Sequence, residues 1–145
     1  SLMQSIKSVN SKGISAPGGH YSHANVHGGF VFLSGQLPID VGGNPLAGAA
    51  FGDQVRQVLA NIDACLTTLG VSRSALIQLR AFVTDISLWK EFDVIYGDWI
   101  GVHRPSRTVV GISELHYGVL IELEAIAVIG EVAPIHTNIA KEQIE

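Results

Sequence analysis

Apolar residues recur along two segments at spacings of three and four, which predicts two amphipathic helices. The first helix is predicted over residues 55–69 and the second over residues 88–99. Residues suited to cap or end a helix flank both segments. They are Asp53 and Gly70 for the first helix, and Ser87 and Gly101 for the second.

Apolar and polar residues alternate along most of the other regular segments, which predicts β-strands. The predicted strands cover residues 6–9, 30–37, 76–84, 106–112 and 119–129. Gly-rich segments at residues 13–23 and 40–50 are predicted to be loops. The resulting order, β-β-α-β-α-β-β, indicates an α+β fold with two helices on one face of a mainly antiparallel sheet.

The alternation also predicts which residues of a strand share a face. The sets are Val31, Leu33 and Gly35; Ile77, Leu79, Ala81 and Val83; and Ile121, Leu123, Ala125, Ala127 and Ile129. The last set is wholly apolar and fit to lie under the helices. The opposite face of that strand mixes Glu122 and Glu124 with apolar residues, so we expect subunits to meet over its apolar part, with the carboxylates turned toward a cleft.

The composition is that of one folded domain. The chain has 145 residues, of which 47% are hydrophobic and 15% charged, enough for one core and too few for two. A single domain is expected over residues 1–145, with residues 1–3 a cloning remnant and the native start, and residues 131–145 a C-terminal extension. The low charged fraction favours apolar surface covered by other subunits.

Charge and motif content argue against several functional classes. The net charge is −4 and the basic residues are spread thinly, so no nucleic-acid partner is expected. No segment approaches the roughly 20 apolar residues of a membrane span, and no signal-peptide pattern is present, so a cytoplasmic location is expected. His20, His23 and His27 match no metal-ligand spacing, and the Gly-rich segments lack nucleotide-binding patterns. Cys65 lies on a helix face and is expected to be a buried small residue.

The most distinctive candidate for binding chemistry is Arg107. It stands between small residues at the start of a predicted strand, and a rigidly held guanidinium suits bidentate capture of a carboxylate. An ordinary surface arginine would satisfy the same pattern. Likewise, Glu122 could be a solvated sheet residue and Ser34 a small residue at a packing point. From the residues alone, the chain is therefore an α+β domain expected to be oligomeric.

Five short segments carry a further pattern. They are Tyr21 after Gly-Gly-His, residues 32–38 (FLSGQLP), residues 54–62 (QVRQVLANI), residues 105–108 (PSRT) and residues 121–127 (IELEAIA). In this order, and with this spacing between the arginine and the glutamates, they resemble the RidA/YjgF family, also called endoribonuclease L-PSP. The resemblance covers about residues 16–128.

The resemblance implies a fold, an assembly and an activity. The fold is chorismate-mutase-like, and the assembly is a homotrimer with clefts between neighbouring subunits. The activity is hydrolysis of enamines and imines, such as 2-aminoacrylate and 2-iminobutanoate, to 2-keto acids and ammonia. No metal or organic cofactor is implied.

The resemblance also implies roles for individual residues. Arg107 is expected to hold the substrate carboxylate, and Glu122 to orient or activate the attacking water. The other residues expected to contact substrate are Tyr21, Ser34, Gly35, Asp93, Val109 through its backbone, and Tyr117.

The sequence departs from the family pattern at several of these positions. Family members often carry Asn where Asp93 stands and Cys where Val109 stands. A Leu-Pro-x-Gly turn is replaced here by residues 115–118 (LHYG). We expect an added negative charge at Asp93, and we expect His116 and Tyr117 to favour a bulkier or aromatic substrate.

Other functions stay open on the sequence alone. One is a pathway-specific deaminase of a larger unsaturated amino acid. Another is a non-catalytic regulatory trimer that senses keto acids through Arg107. A ribonuclease is disfavoured by the acidic charge, and a chorismate mutase would need a second cation beside Arg107, for which Arg104 and Arg80 are the candidates.

Overall fold

Two helices cover one face of a six-stranded sheet in the computed structural model, which describes residues 5–130. The strands are β1 (Lys7–Val9), β2 (Ala24–His27), β3 (Phe30–Gln36), β4 (Leu76–Val83), β5 (Ser106–Gly111) and β6 (Ile121–Val128). The helices are α1 (Phe51–Leu69) and α2 (Trp89–Ile100). Short 3₁₀ turns lie at Arg73–Ala75, Ile86–Leu88 and His116–Gly118. The predicted start at residues 1–3 and the extension at 131–145 lie outside the described residues.

The strand order is β1-β2-β3-β6-β4-β5, and every neighbouring pair is antiparallel except β4 and β5, which are parallel. The predicted α+β fold with a mainly antiparallel sheet is confirmed. This order places β6 at the centre of the sheet and β5 at one edge.

Strand β2 was not predicted from the apolar pattern, because its four residues carry little alternation. It forms a hairpin with β3, in which His27 pairs with Phe30 across Gly28 and Gly29. Both glycines have positive φ angles, 58° and 82°, as the favoured two-residue hairpin turn requires. The Gly-Gly pair was therefore the sequence signal for this strand.

The core lies between the helices and one face of the sheet. The apolar stripe of α1 is buried as predicted from Val55 to Leu66, and Leu69 is partly buried. On β6, the residues Ile121, Leu123, Ala125 and Ala127 are buried, with exposed fractions of at most 4%. The prediction that this face of the last strand lies under the helices is confirmed.

The helix ends were predicted correctly at their C-termini only. Gly70 ends α1 with a left-handed φ of 74°, and Gly101 ends α2. Asp53 is not a cap: α1 begins two residues earlier, and the carboxylate of Asp53 pairs with Arg56 in the first turn. Ser87 is not a cap either, because it lies in the preceding 3₁₀ turn, where its own N–H donates to the Asp85 side chain.

Register shifts in β3 and β4 overturn two predicted faces. In β3 the shift lies between Leu33 and Gln36, so Gln36 is buried and Gly35 instead faces Glu122. In β4 it lies between Leu76 and Gln78, which buries Leu76 and leaves Ile77 39% exposed. An extra residue in one strand moves the following side chains to the other face.

The sheet face opposite the helices is partly apolar, and no helix or strand within residues 5–130 covers it. Its exposed members include Phe30, Phe32 and Val110, with exposed fractions of 46%, 50% and 36%. Phe82 and Ile126 lie on the same face by register. Within residues 5–130, no helix is both long enough and apolar enough to span a membrane.

Candidate active site

The Glu122 cleft lies over one end of the uncovered sheet face and has a volume of about 680 Å³. It brings together five of the predicted site residues, namely Tyr21, Ser34, Gly35, Tyr117 and Glu122. Its other lining residues include His116, Glu124 and a Gly-rich stretch around Gly18 and Gly19. The family motifs of β3 and β6 therefore meet in one depression.

Glu122 lines this cleft and is partly buried. A Cβ atom added at Gly35 would lie 3.0 Å from both Cδ and Oε2 of Glu122, so the carboxylate rests directly on the glycine backbone. Burial raises the pKa of Glu122 above its ordinary value, while nearby His116 lowers it and Glu124 raises it further. A carboxylate with a raised pKa is a stronger base once it is ionised.

The loop that forms one wall of the cleft is tied to β3 by hydrogen bonds. The Ser34 hydroxyl donates to the carbonyl of Ser22 at 2.6 Å, and the Ser34 N–H donates to the carbonyl of His23 at 2.9 Å. Buried His23 accepts from the Ser11 N–H through Nδ1 at 3.0 Å, and burial lowers its pKa. Ser34 therefore fixes the position of the wall that carries Tyr21.

Tyr117 is held in a backbone conformation that side-chain-bearing residues rarely adopt. Its φ is 63°, whereas its neighbour Gly118 adopts φ 70° at no steric cost. The left-handed region costs a non-glycine residue about 1–2 kcal/mol. The Tyr117 side chain is 61% exposed, with its ring 6.1 Å from that of His116, so residues 5–130 bury little of this ring to offset the strain.

Arg107 lies on β5 and contacts α2. Its Nη1 donates to Oδ1 of Asp93 at 2.6 Å, and its guanidinium carbon is 5.2 Å from the ring centre of Tyr96 and 5.7 Å from that of Phe92. The Arg107 side chain is 25% exposed and borders a second depression of about 450 Å³. The predicted guanidinium therefore stands in a fixed orientation, with an aspartate beside it.

Arg107 and Glu122 lie on opposite faces of the sheet. Arg107 is in register with buried Leu79 on the helix-covered face. Glu122 is in register with Phe82 on the uncovered face. The structure thus brings Asp93 to Arg107, and separates both from the Glu122 cleft within one chain.

Val109 also lies on the helix-covered face, in register with Ala81 and packed against the core.

The structure also shows where the two arginines lie that a chorismate mutase would need as a second cation. Arg80 pairs with Glu124 at 2.8 Å, whereas Arg104 borders the same depression as Arg107. Neither Arg104 nor Glu124 was among the residues expected to act on an imine, although Arg104 directly precedes the motif of residues 105–108 and Glu124 lies within that of residues 121–127.

Other candidate chemistry is limited in the described part of the chain. Within residues 5–130, no three His, Cys, Asp or Glu side chains converge as metal ligands. Cys65 is buried in the core, and burial raises its pKa to about 11. A thiol of this kind is a poor nucleophile.

The chain is a small α+β protein with a cleft at Glu122 on the sheet face opposite its helices. Comparison with known proteins identifies the family to which it belongs. The model of the family Endoribonuclease L-PSP matches residues 13–129. A RutC family protein of Pyrococcus horikoshii is 38% identical over 111 residues, covering 77% of this chain and 88% of the relative.

Solved structures agree. The Rid-family protein YyfA of Yersinia pestis has a TM-score of 0.82 and 32% identity, covering 86% of this chain and all of the other. TdcF of E. coli, solved with bound serine, has a TM-score of 0.80 and 28% identity, covering 86% and 99% of the two chains. This chain belongs to the endoribonuclease L-PSP family, the RutC and Rid proteins, as the sequence motifs predicted.

Proposed function

We propose that the protein hydrolyses reactive enamines and imines of the 2-aminoacrylate and 2-iminobutanoate type to 2-keto acids and ammonia. The observation that carries the proposal is the Glu122 carboxylate, which is partly buried, lines the cleft and lies against Gly35. Its raised pKa suits a base that takes a proton from water near neutral pH. No cofactor is needed for this chemistry.

A complete cleft is proposed to form between two copies of the chain. Arg107 lies on an edge strand, whereas Glu122 lies on the opposite face of the sheet. Exposed Phe30 and Phe32 give the uncovered face the apolar surface that subunit association would bury. The partner subunit's Arg107 would then hold the substrate carboxylate above Glu122, in a homotrimer with three such clefts.

The proposed reaction begins with the imine protonated on nitrogen; an enamine reaches this state by accepting a proton on its β-carbon. Water adds to the imine carbon while Glu122 accepts a water proton. The resulting carbinolamine transfers a proton from oxygen to nitrogen through Glu122, and the C–N bond breaks. Ammonia leaves and takes up the proton that Glu122 still holds, as ammonium, which restores the carboxylate. The oxygen stays as the keto group, so no electrons are exchanged with a cofactor.

The remaining cleft residues are proposed to position the substrate. The exposed rings of Tyr21 and Tyr117 would close over it, while Ser34 and Gly35 would line its path and the backbone at Val109 would contact it from the partner copy. Orientation of this kind lowers the barrier because the reacting groups are already in place. The structure of TdcF of E. coli with bound serine supports a ligand of this size and charge in the proposed cleft. We propose a cytoplasmic location, where the free thiol of Cys65 would stay reduced.

A trapping assay tests the proposal. A dehydratase generates 2-iminobutanoate from threonine, and semicarbazide traps the imine; an active protein lowers the trapped yield. We expect wild type to compete with the trap and Arg107→Ala to fail. The control Arg56→Ala removes an exposed arginine that pairs only with Asp53 among the described contacts, and should keep full activity.

If neither wild type nor control competes, the imine deaminase proposal is wrong for these substrates. Binding of 2-oxobutanoate without turnover would instead support a regulatory trimer that senses keto acids. Turnover only of larger unsaturated amino acids would support a pathway-specific deaminase.

A further inference from the structure

The Arg107–Asp93 pair has a charge arrangement that a site for a simple carboxylate does not require. The guanidinium of Arg107 donates to Asp93 through Nη1 alone, at 2.6 Å. Its other N–H groups do not bond to Asp93, so they are left to bind a carboxylate. The Asp93 side chain is 48% exposed and Oδ1 is the oxygen that accepts from Arg107, so Oδ2 is the oxygen that a ligand would use. Cation and anion thus stand side by side at the border of one depression.

We propose that Asp93 and Arg107 together recognise a zwitterion, an α-imino or α-amino acid, rather than an anion. Arg107 would hold the carboxylate, and Asp93 would accept a hydrogen bond from the positively charged nitrogen. In such a ligand the nitrogen and the nearer carboxylate oxygen are about one hydrogen-bond length apart, as are the Asp93 and Arg107 atoms. The ligand and the pair therefore match in both charge and spacing.

This inference rests on the proposed function and sets its substrate class. An aspartate beside the imine nitrogen favours the protonated iminium, which is the form that water attacks. The 2-keto acid product has a carbonyl oxygen in place of the N–H, so it would place an acceptor against the Asp93 carboxylate. Substrate and product would then be distinguished by the same residue, and the product would leave readily.

Two aromatic rings of α2 hold the guanidinium of Arg107 in position beside Asp93. The guanidinium lies against Tyr96 and Phe92 of α2, the helix that also carries Asp93 one residue after Phe92. Because both charged groups are anchored to α2, a ligand does not have to assemble the pair. A preformed pair of this kind discriminates between ligands without a large ordering cost.

Calorimetric binding of two probes with the same carbon skeleton tests the proposal. The probes are L-2-aminobutanoate, a zwitterion, and 2-oxobutanoate, an anion, measured at neutral pH on the full-length protein. We expect wild type to prefer the amino acid by about tenfold or more. Asp93→Asn should bring the two affinities close to parity, by weakening the amino acid and strengthening the keto acid.

The matched control is Asp98→Asn, which removes an exposed carboxylate on the same helix that lies in a different surface groove. It should keep the wild-type preference. An unchanged preference in Asp93→Asn, with its thermal unfolding unaltered, would overturn the proposal, as would a wild type that prefers 2-oxobutanoate or binds neither probe. The trapping assay is read separately: a zwitterion preference without turnover would reject the deaminase while leaving the recognition pair standing.

Discussion

Arg107 and Glu122 project from opposite faces of the same sheet, on strands that are separated by β4. A single chain therefore cannot place the proposed carboxylate-binding group and the proposed base around one small substrate. Two copies can, because the edge strand of one can meet the uncovered face of another. The oligomer is thus a requirement of the proposed chemistry.

Glu122→Gln should lower turnover and raise stability. Loss of a positioned base costs about 100-fold or more in rate. In the wild type, activity should fall as the pH drops through the raised pKa of Glu122, because the base becomes protonated. A glutamine variant with wild-type turnover would contradict the role of Glu122.

The stability effect of Glu122 has a defined sign. The pKa of Glu122 is higher in the folded protein than in the unfolded chain, so the protonated side chain favours the folded state. This contribution to the free energy of unfolding is fully present below the unfolded-state pKa and is lost as the pH rises through the folded-state pKa. Glu122→Gln should therefore be more stable than wild type above that range and equal to it at low pH. Urea unfolding at several pH values measures the difference.

Gly35→Ala should impair catalysis without unfolding the protein. The new methyl group would lie 3.0 Å from the Glu122 carboxylate and force it to turn, which we expect to cost about tenfold in turnover. Gly111→Ala is the control, since its added carbon would make only ordinary contact, with Ile86 Cβ at 3.4 Å, and it lines neither the Glu122 cleft nor the Arg107 depression. Equal activity of the two variants would show that the Gly35–Glu122 contact is unimportant.

The ring of Tyr117 should widen the substrate range toward aromatic imines. Tyr117→Ala and Tyr117→Gly both remove the ring, and both should lose turnover on an aromatic imine relative to 2-iminobutanoate. The glycine variant should be the more stable of the two by about 1 kcal/mol, because only glycine relieves the positive φ. Wild-type turnover that is best on the smallest imine would contradict the predicted range.

Asp63 should stabilise the packing of α1 against α2 and against the 3₁₀ turn at Arg73–Ala75. Its carboxylate accepts from Arg73 Nε and Nη2, each at 2.8 Å, and from Trp99 Nε1 at 2.9 Å. Asp63→Ala should lower the free energy of unfolding by about 1–2 kcal/mol. Asp53→Ala, which loses one exposed ion pair on the same helix, should cost at most about 0.5 kcal/mol.

The sequence predicted those parts of the fold that depend on local pattern. The apolar stripe of α1 and the alternation of β6 depend only on spacing, so both were predicted correctly. The register shifts in β3 and β4 depend on pairing with neighbouring strands, and they moved Gly35 and Ile77 to the other face. Asp53 and Ser87 failed as caps because favourable side-chain chemistry does not fix where a helix begins.

The sequence named candidate residues for the site and could not give their geometry. The motifs identified Arg107 and Glu122, and the structure groups Glu122 with four other predicted residues. That Arg107 lies on the other face follows from the registers of β5 and β6 with β4, which no single strand encodes. The bond from Arg107 to Asp93 likewise depends on how α2 packs beside β5.

Subunit complementation tests the shared cleft most directly. Arg107→Ala and Glu122→Gln are co-expressed with different tags, and oligomers that contain both are purified. In a mixed three-membered ring, about one cleft in three pairs an intact Arg107 with an intact Glu122 of the neighbour. We predict about a third of wild-type turnover from two variants that are each inactive alone. Mixed oligomers no more active than either variant would show that both residues act from the same chain, and would contradict the account.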